Sequence, residues 1–467
     1  MNNSWKRFKF LGLLVTLAIV TLLLAACGDP TATTAPAATT AAPAATTAAA
    51  PKATTAPAVA TTTAAAPAAT TAPAAATTTA AATAGGTIRI YSSLPMTGSS
   101  KEQVDTVLNA AKLALDDFTG GTGKIGNYTI DFVPLDDATA AKGQWDADQE
   151  KSNANKAAND PDAMIYLGTF NSGAAKVSIP ILNSVNLAMI SPANTYPGLT
   201  RAAKGITADG EPDTYYPTKV RNYFRVVTAD DVQGPAIVEF IKTLGTIKKV
   251  FVIDDSQAYG KGVADAVAAN CAGAGFDCAG RASINGKESD YKSLAATIKS
   301  AAPDVVFFGG ITQQQAGKLV ADIRAAGIKV PFVGPDGINE DAFIKDGGAA
   351  AEGVYATAGG TTDDKLPPKG QDFLKRYKAK YGNPQTYTIY GYEAMTVALT
   401  AIKAAGTKDR KAVLAAVAGI KDFDGVLGKW SFDKNGDTTL TDFVVSQVKD
   451  GKWVNLTVVK PKFTPGS

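Results

Sequence analysis

Residues 30–84 contain only Ala, Thr and Pro apart from Lys52 and Val59, and that stretch decides where a fold can form. Its side chains are too small to build a packed interior, and its prolines interrupt any alanine helix. The expectation is a disordered stalk whose threonines could carry O-linked sugars. Its 55 residues would span about 40 Å as a random coil and about 170 Å as extended polyproline II. A hydrophobic core must come from the remaining chain, chiefly from Thr87 to Ser467, where the composition becomes ordinary for a globular domain.

Ahead of the stalk, Lys6, Arg7 and Lys9 precede an apolar run of 17 residues from Phe10 to Ala26, and residues 1–26 contain no acid. This is the layout of a secretory signal. A membrane-spanning helix is the alternative, since 17 residues lie at the lower limit for crossing a bilayer. Leu24-Ala25-Ala26-Cys27 resembles a bacterial lipobox, which implies cleavage before Cys27, acylation of its thiol and attachment to a membrane through lipid. The expected layout is a signal peptide over residues 1–26, lipidated Cys27 and stalk over 27–86, and one folded domain over 87–467.

Without that signal, acidic and basic residues are equal in number, so the electrostatic footprint of a nucleic-acid binder is missing. The chain has no histidine. No Ser-His-Asp or Cys-His nucleophile and no His-ligated zinc or haem can be assembled from it.

The folded part alternates strand and helix patterns. A strand-like run at Thr87–Tyr91 is followed by Val104, Leu108, Ala111, Leu115 and Phe118 on one helical face. Strands are expected at Tyr128–Pro134, Ala163–Leu167, Leu187–Ile190 and Tyr223–Val227. After Gly234 a second series is expected, at Lys249–Ile253, Phe276–Ala282, Asp304–Phe308, Val330–Val333 and Val354–Ala358, with Ala316, Leu319, Val320 and Ile323 on one helix face. Two βα series imply two doubly wound lobes with a cleft between them, and such sheets bind ligands on the loops after their strands.

Several motifs carry little. Gly120-Gly121-Thr122-Gly123-Lys124 lacks P-loop spacing and reads as a turn. Asp433, Asn435 and Asp437 resemble part of a calcium loop, but its glycine and terminal glutamate are misplaced, so Asn435-Gly436 reads as a hairpin turn. Cys271 and Cys278 are the thiols left besides Cys27. In an exported chain they could close a structural disulfide, and the absence of a Cys-x-x-Cys motif argues against a redox pair.

The loops after strands hold a polar set. Gly168-Thr169-Phe170-Asn171-Ser172-Gly173 offers a hydroxyl and free N–H groups at a helix start, which suit a carboxylate. Ser191-Pro192-Ala193-Asn194-Thr195 adds hydroxyls and carbonyls, and Gly334-Pro335-Asp336-Gly337 brings a carboxylate from the second series. Ser172 and Ser191 could equally cap helices, and Asp336 could sit in an ordinary turn.

Residues 87 to about 460 resemble the branched-chain amino-acid-binding proteins of ABC importers. The likeness runs through Leu94-Pro95-Met96-Thr97-Gly98, Leu135-Asp136-Asp137, the Gly168–Gly173 and Ser191–Thr195 loops, and Asp230-Asp231-Val232-Gln233-Gly234-Pro235. It continues through Asp255–Gly262, Pro303–Gly310, Gly334–Gly337, Ala351–Val354 and Phe423–Gly428. The resemblance implies an α/β type I periplasmic-binding-protein fold with three crossovers, near Val227–Asp230, Tyr355–Gly360 and Trp430–Asn435. Lobe 1 would cover about 87–227 and 357–432, and lobe 2 about 228–356 and 433–467, with a C-terminal hairpin of Asp442–Val448 and Lys452–Val458.

By the same resemblance, Ser172, through its hydroxyl and backbone N–H, together with Thr195 would hold a ligand α-carboxylate, with Gly173 also among the ligand-binding residues. The Ala193 carbonyl, Thr195 and Asp336 would take its α-ammonium, and Tyr259 would close over it. Leu94, Gln103, Phe170 and Ile311 would line the side-chain pocket, with Gln103 and Ile311 standing where relatives often carry tyrosine. The segment Tyr196–Arg221 is long for the family, and its Tyr215-Tyr216 would either line the cleft mouth or sit on a surface loop.

The expected protein is a non-catalytic, monomeric, membrane-tethered receptor, needing no cofactor or metal. It would capture a branched-chain or other apolar amino acid and deliver it to an ABC permease. Alternatives are a receptor for another small polar ligand such as an amide or urea, a sensory binding protein, and an extracellular hydrolase built on paired carboxylates.

Overall fold

The structure, a computed structural model, describes residues 85–462. The expected signal peptide, Cys27 and nearly all of the expected stalk lie outside the described residues.

The first βα series supplies β1 (Gly86–Leu94), α1 (Lys101–Thr119), β2 (Lys124–Ile125) and β3 (Tyr128–Asp136). The short pair β4 (Ala138–Thr139) and β5 (Gln144–Trp145) follows, then α2 (Ala147–Asn159), β6 (Ala163–Gly168), α3 (Ser172–Asn183), β7 (Ala188–Ser191) and β8 (Tyr223–Arg225). The long strands read as apolar runs because they are covered on both faces, as β6 and β7 are. They form one sheet in the order β2-β3-β1-β6-β7-β8, parallel except at β2. Between α1 and β2 the chain turns through Gly120, Gly121 and Gly123, all at positive φ, which is a steric reason for the glycine-rich sequence there.

The second series begins with α4 (Asp230–Ile241) and gives β9 (Val250–Asp254), α5 (Ala258–Cys271), β10 (Arg281–Ser283), α6 (Lys292–Ala301) and β11 (Val305–Gly309). Then come α7 (Ala316–Ala325), β12 (Phe332–Gly334), α8 (Asp341–Gly347) and β13 (Tyr355–Gly359). Next, α9 (Pro368–Tyr381), α10 (Thr388–Ala405) and α11 (Arg410–Ala418) precede the hairpin β14 (Phe423–Gly425) and β15 (Gly428–Trp430). The C-terminal hairpin is β16 (Phe443–Lys449) and β17 (Lys452–Val459). The second sheet has the order β10-β9-β11-β12-β13-β16-β17, with the last two strands antiparallel.

The core is divided accordingly. Ile88, Ile90, Ile165 and Ile190 of the first sheet pack with Val104 and Leu108 of α1 and with Met395, Leu399 and Ile402 of α10. Phe308, Phe332, Leu319, Val320 and Ile323 anchor the second lobe. The chain leaves the first lobe after β8, returns after β13, and crosses again before β16. Among the described residues no helix is long and apolar enough to cross a membrane.

Three sequence expectations need correction. Of the strand expected over Phe276–Ala282, regular pairing is limited to Arg281–Ser283, although Asp277 and Gly280 already bond the backbone beside β9 at Lys248, Val250 and Val252. The Cys271–Cys278 disulfide and a Phe276 N–H bond to the Cys271 carbonyl close the turn just ahead. The third crossing comes later than Trp430–Asn435. Arg225 still pairs with Asp437, and Phe432 with Thr438, so the chain stays on the first lobe past the Asn435-Gly436 turn. Finally, Tyr215 and Tyr216 are themselves buried, while most of the loop around them lies on the surface. Tyr215 donates to Glu211, which also receives Lys176 and Tyr196, while Tyr216 donates to the Leu199 carbonyl at 2.6 Å. These bonds anchor the loop to the first lobe at Glu211, Tyr215 and Tyr216.

Candidate functional site

Parallel strands end on the same side of their sheet, so β6 and β7 deliver their loops together. Ser191 at the end of β7 donates to the Thr169 carbonyl (2.9 Å) and accepts from the N–H groups of Ala193 (3.1 Å) and Asn194 (2.8 Å). The Asn194 amide donates to the Phe170 carbonyl at 2.9 Å. These bonds stitch the two loops into one surface carrying Ser172, Gly173, Ala193 and Thr195, with Ser191 acting as the pin.

Ser172 opens α3, and its hydroxyl accepts the Tyr196 N–H at 3.3 Å. Gly173 follows with no room for a side chain, since a Cβ would stand 2.5 Å from the Trp145 ring. From below, Arg225 of β8 donates to the carbonyls of Asn194 (3.2 Å) and Tyr196 (2.8 Å), on either side of Thr195. The Thr195 carbonyl in turn accepts the Asp230 N–H at 2.8 Å, joining the loop to the start of α4.

The opposing lobe is assembled in the same manner. Asp255, after β9, accepts from the N–H groups of Gln257 (2.9 Å) and Ile311 (3.1 Å), linking the loops after β9 and β11. Asp336, after β12, is fully desolvated, and Tyr259 donates to it at 2.8 Å. The Gly337 N–H donates back to the Tyr259 hydroxyl at 2.9 Å. A Cβ on Gly337 would lie 2.7 Å from the Tyr259 ring and 3.0 Å from Ile311, so Tyr259, Ile311, Asp336 and Gly337 form one tight group.

The lobes touch. Tyr387, just ahead of α10 on the first lobe, donates its hydroxyl to the second oxygen of Asp336. The Thr386 hydroxyl reaches the Asn339 carbonyl at 2.7 Å, and Gln314 pairs with Gln144 at 3.0 Å. Tyr196 also packs against Gly262 of α5. Of the expected pocket residues, Leu94, Phe170 and Ala193 share the first lobe's core with Tyr387 and Tyr390, Ile311 lies with Tyr259 in the second, and Gln103 is buried in α1.

Electrostatically the site is acidic. Burial pushes the Asp336 carboxyl upward, opposed by hydrogen bonds from Tyr387, Tyr259 and Gln233. Asp230 is raised further by burial and by the neighbouring Asp336 charge, opposed by Thr195 and Arg225, and among the described residues neither of its oxygens has a partner in hydrogen-bonding geometry. Burial and the Asp336 charge raise both tyrosines, so they remain donors. Two buried carboxylates facing a hydroxyl-lined loop can accept a cation, while the start of α3 can accept an anion.

Tyr387, Trp145, Arg225 and the role of Asp230 escape a reading by motif. Asp230 alone had a signal, since its segment belongs to the likeness described above. The others come from elements with no loop signature.

A groove of about 490 Å³ also opens at the edge of the lobes, lined by Asn339, Glu340, Gly360, Thr386, Tyr390 and Trp453 among others. None of Ser172, Thr195, Tyr259 or Asp336 lines it. Burial pushes Glu340 up to about 8, with Gln313 opposing from 3.3 Å. A carboxyl raised in the folded state favours folding below its ordinary range and loses that contribution as pH climbs through the folded value. Thermal unfolding should therefore show Glu340→Gln more stable than the parent above pH 8, by as much as about 4 kcal/mol, with the gap closing toward pH 5. A pH-independent gap would reject this role for Glu340.

The chain matches the periplasmic binding protein family over residues 87–452. It is 28% identical over 365 residues to an amino acid binding protein of Pseudomonas aeruginosa, covering 78% of this chain and 90% of that protein. It is 27% identical to the leucine-, isoleucine-, valine-, threonine-, and alanine-binding protein of the same organism, covering 77% and 89%. Among solved structures, a leucine binding protein from Thermotoga maritima superposes with a TM-score of 0.70 at 24% identity, covering 80% of this chain and 99% of that one. A branched-chain amino acid transporter substrate binding protein from Streptococcus pneumoniae, in complex with isoleucine, superposes with a TM-score of 0.68 at 24% identity, covering 80% and 100%.

Proposed function

The chain belongs to the periplasmic binding protein family, and from that premise we propose that it is an extracytoplasmic receptor for an amino acid, which it passes to an ABC importer. Acylated Cys27 would hold it to the membrane, and residues 30–84 would carry the binding domain off the surface. The ligand α-carboxylate would meet the Ser172 hydroxyl and the N–H groups of Ser172 and Gly173. Its ammonium would meet the Ala193 carbonyl, the Thr195 hydroxyl and Asp336, with Asp230 as a second counter-charge. Tyr259 would cover the ligand from the second lobe.

The observation that carries this reading is Asp336, a desolvated carboxylate held by one tyrosine from each lobe. A buried carboxylate that spans the closure is stabilised by a cation delivered there. Ligand would then favour the closed form by bonding to both lobes at once, which is the differential affinity that closure requires. Empty, Asp336 and Asp230 repel one another. An ammonium group replaces that repulsion with two charge-assisted bonds.

Calorimetric titration of residues 85–467 with the common amino acids, acetamide, urea and sugars tests it. At least one amino acid should bind in the micromolar range or tighter, and its des-amino analogue should not. Tight binding of a ligand without an amine would reject the assignment.

A further inference from the structure

We infer that the side-chain pocket is built for an amino acid with an uncharged hydrogen-bonding side chain, a carboxamide foremost, recognised by Gln103. This rests on the amino-acid reading above and specifies its substrate class. Gln103 is 1% exposed, yet among the described residues neither its amide nitrogen nor its amide oxygen has a hydrogen-bond partner. Buried polar groups are nearly always satisfied in folded proteins. One amide missing both its donor and its acceptor partner signals a complementary group that arrives from outside.

The helix geometry puts this amide beside the ligand machinery. Helices α1 and α10 run side by side in the same direction: the Thr106 and Thr388 hydroxyls meet at 2.7 Å, the Val107 backbone lies against Gly391, and Lys403 stands over Phe118. One helical turn before Val107 is Gln103, and one turn before Gly391 is Tyr387. Gln103 therefore stands level with the tyrosine that holds Asp336. The turn just ahead of α1, Gly98–Ser100, packs against Thr312–Gln314 of the second lobe, so this end of the helix lies at the junction between the lobes. Two further buried acceptors are unpartnered among the described residues: Asn171 Oδ1 on the loop before α3 and Gln233 Oε1 of α4, whose own amide nitrogen bonds Thr357 at 3.1 Å.

A ligand carboxamide answers an orphan glutamine with two bonds at once, its N–H₂ to Gln103 Oε1 and its carbonyl to Gln103 Nε2. A leucine side chain answers neither atom and leaves both desolvated and unpaired. A site built to hydrogen-bond its substrate discriminates strongly against the apolar analogue. Leu94, Phe170 and Ile311 remain as apolar walls that position the ligand's methylene groups.

The test is calorimetric titration of the parent protein and Gln103→Leu with glutamine, asparagine and leucine, together with thermal unfolding of both empty proteins. The parent should bind glutamine or asparagine at least tenfold more tightly than leucine, and Gln103→Leu should reverse the order. The empty variant should unfold no lower than the parent, since leucine removes two unpaired polar atoms at similar volume. A parent that prefers leucine, with a ratio that Gln103→Leu changes less than twofold, overturns this inference and leaves the amino-acid receptor standing. A clear loss of stability in the empty variant would reveal an internal partner for Gln103 and also overturn it. Binding of no amino acid by either protein would overturn both.

Discussion

Asp336→Ala should weaken amino-acid binding by about 2–5 kcal/mol, the range seen when one partner of a buried, hydrogen-bonded charge pair is truncated. The size follows from where the carboxylate sits. It is desolvated, it takes one hydroxyl from each lobe, and no cationic side chain bonds to it among the described residues. An ammonium group would be its first full counter-charge, in surroundings that screen it poorly. Asp336→Asn separates charge from shape, because an amide of similar size can still accept from one tyrosine but offers no charge. It should bind nearly as weakly as the alanine variant. Calorimetry at pH 7 decides the matter: an Asn variant with parental affinity would mean that the ammonium is held elsewhere, with Asp230 the next residue to test. The parent's affinity should also fall as the medium is acidified. Both carboxyls are raised above their ordinary values, so the empty site takes up protons that an incoming cation must displace.

Arg225→Met should lower folding stability by about 3–5 kcal/mol in urea unfolding, as expected when a buried ion pair loses one member. Arg225 is fully buried and bonds Asp437 at 2.5 Å, the Thr200 hydroxyl at 2.5 Å, and the carbonyls of Asn194 and Tyr196. Removing it leaves Asp437 with Arg201, whose guanidinium is already shared with Asp231. The same change frees the two carbonyls that flank Thr195, so ligand affinity should fall as well, through a residue that touches no ligand atom. Arg225→Lys keeps the charge but cannot span four acceptors with a planar fork, and should recover only part of the stability. A loss below about 1 kcal/mol in the methionine variant would show that Arg201 alone neutralises Asp437.

These two residues mark how far the chain could be read without its fold. Asp336 could be singled out as a candidate, because a carboxylate in a Gly-Pro-Asp-Gly loop after an apolar strand lies where doubly wound sheets bind ligands, though spacing alone fitted an ordinary turn equally well. Ser172 was accessible for the same reason, at a strand-to-helix turn. The strands of both sheets were also near to hand, since apolar runs of four to six residues alternate with helical faces such as Val104, Leu108 and Ala111. Phe276–Ala282 was legible only in part, because a disulfide-closed turn at its start leaves irregular pairing beside β9 before the regular strand begins at Arg281. Tyr215 and Tyr216 were not legible as buried, because they belong to a long polar loop that does lie largely on the surface, and only their contacts with Glu211 and the Leu199 carbonyl draw the two rings inward.

The amino-acid order alone pointed to a domain of alternating strands and helices in two series, and it shows that the chain has no histidine chemistry and little net charge to offer nucleic acid. Those properties depend on composition and on periodicities of two and 3.6 residues, which are local. Only the tertiary structure decided that Tyr387 reaches Asp336 across 51 residues, that Arg225 meets Asp437 across 212, and that Gln103 is buried with nothing to bond among the described residues. The physical reason is that the energy of a charge or an amide is set by everything packed around it, and in this protein those neighbours come from distant turns of the chain and from both lobes.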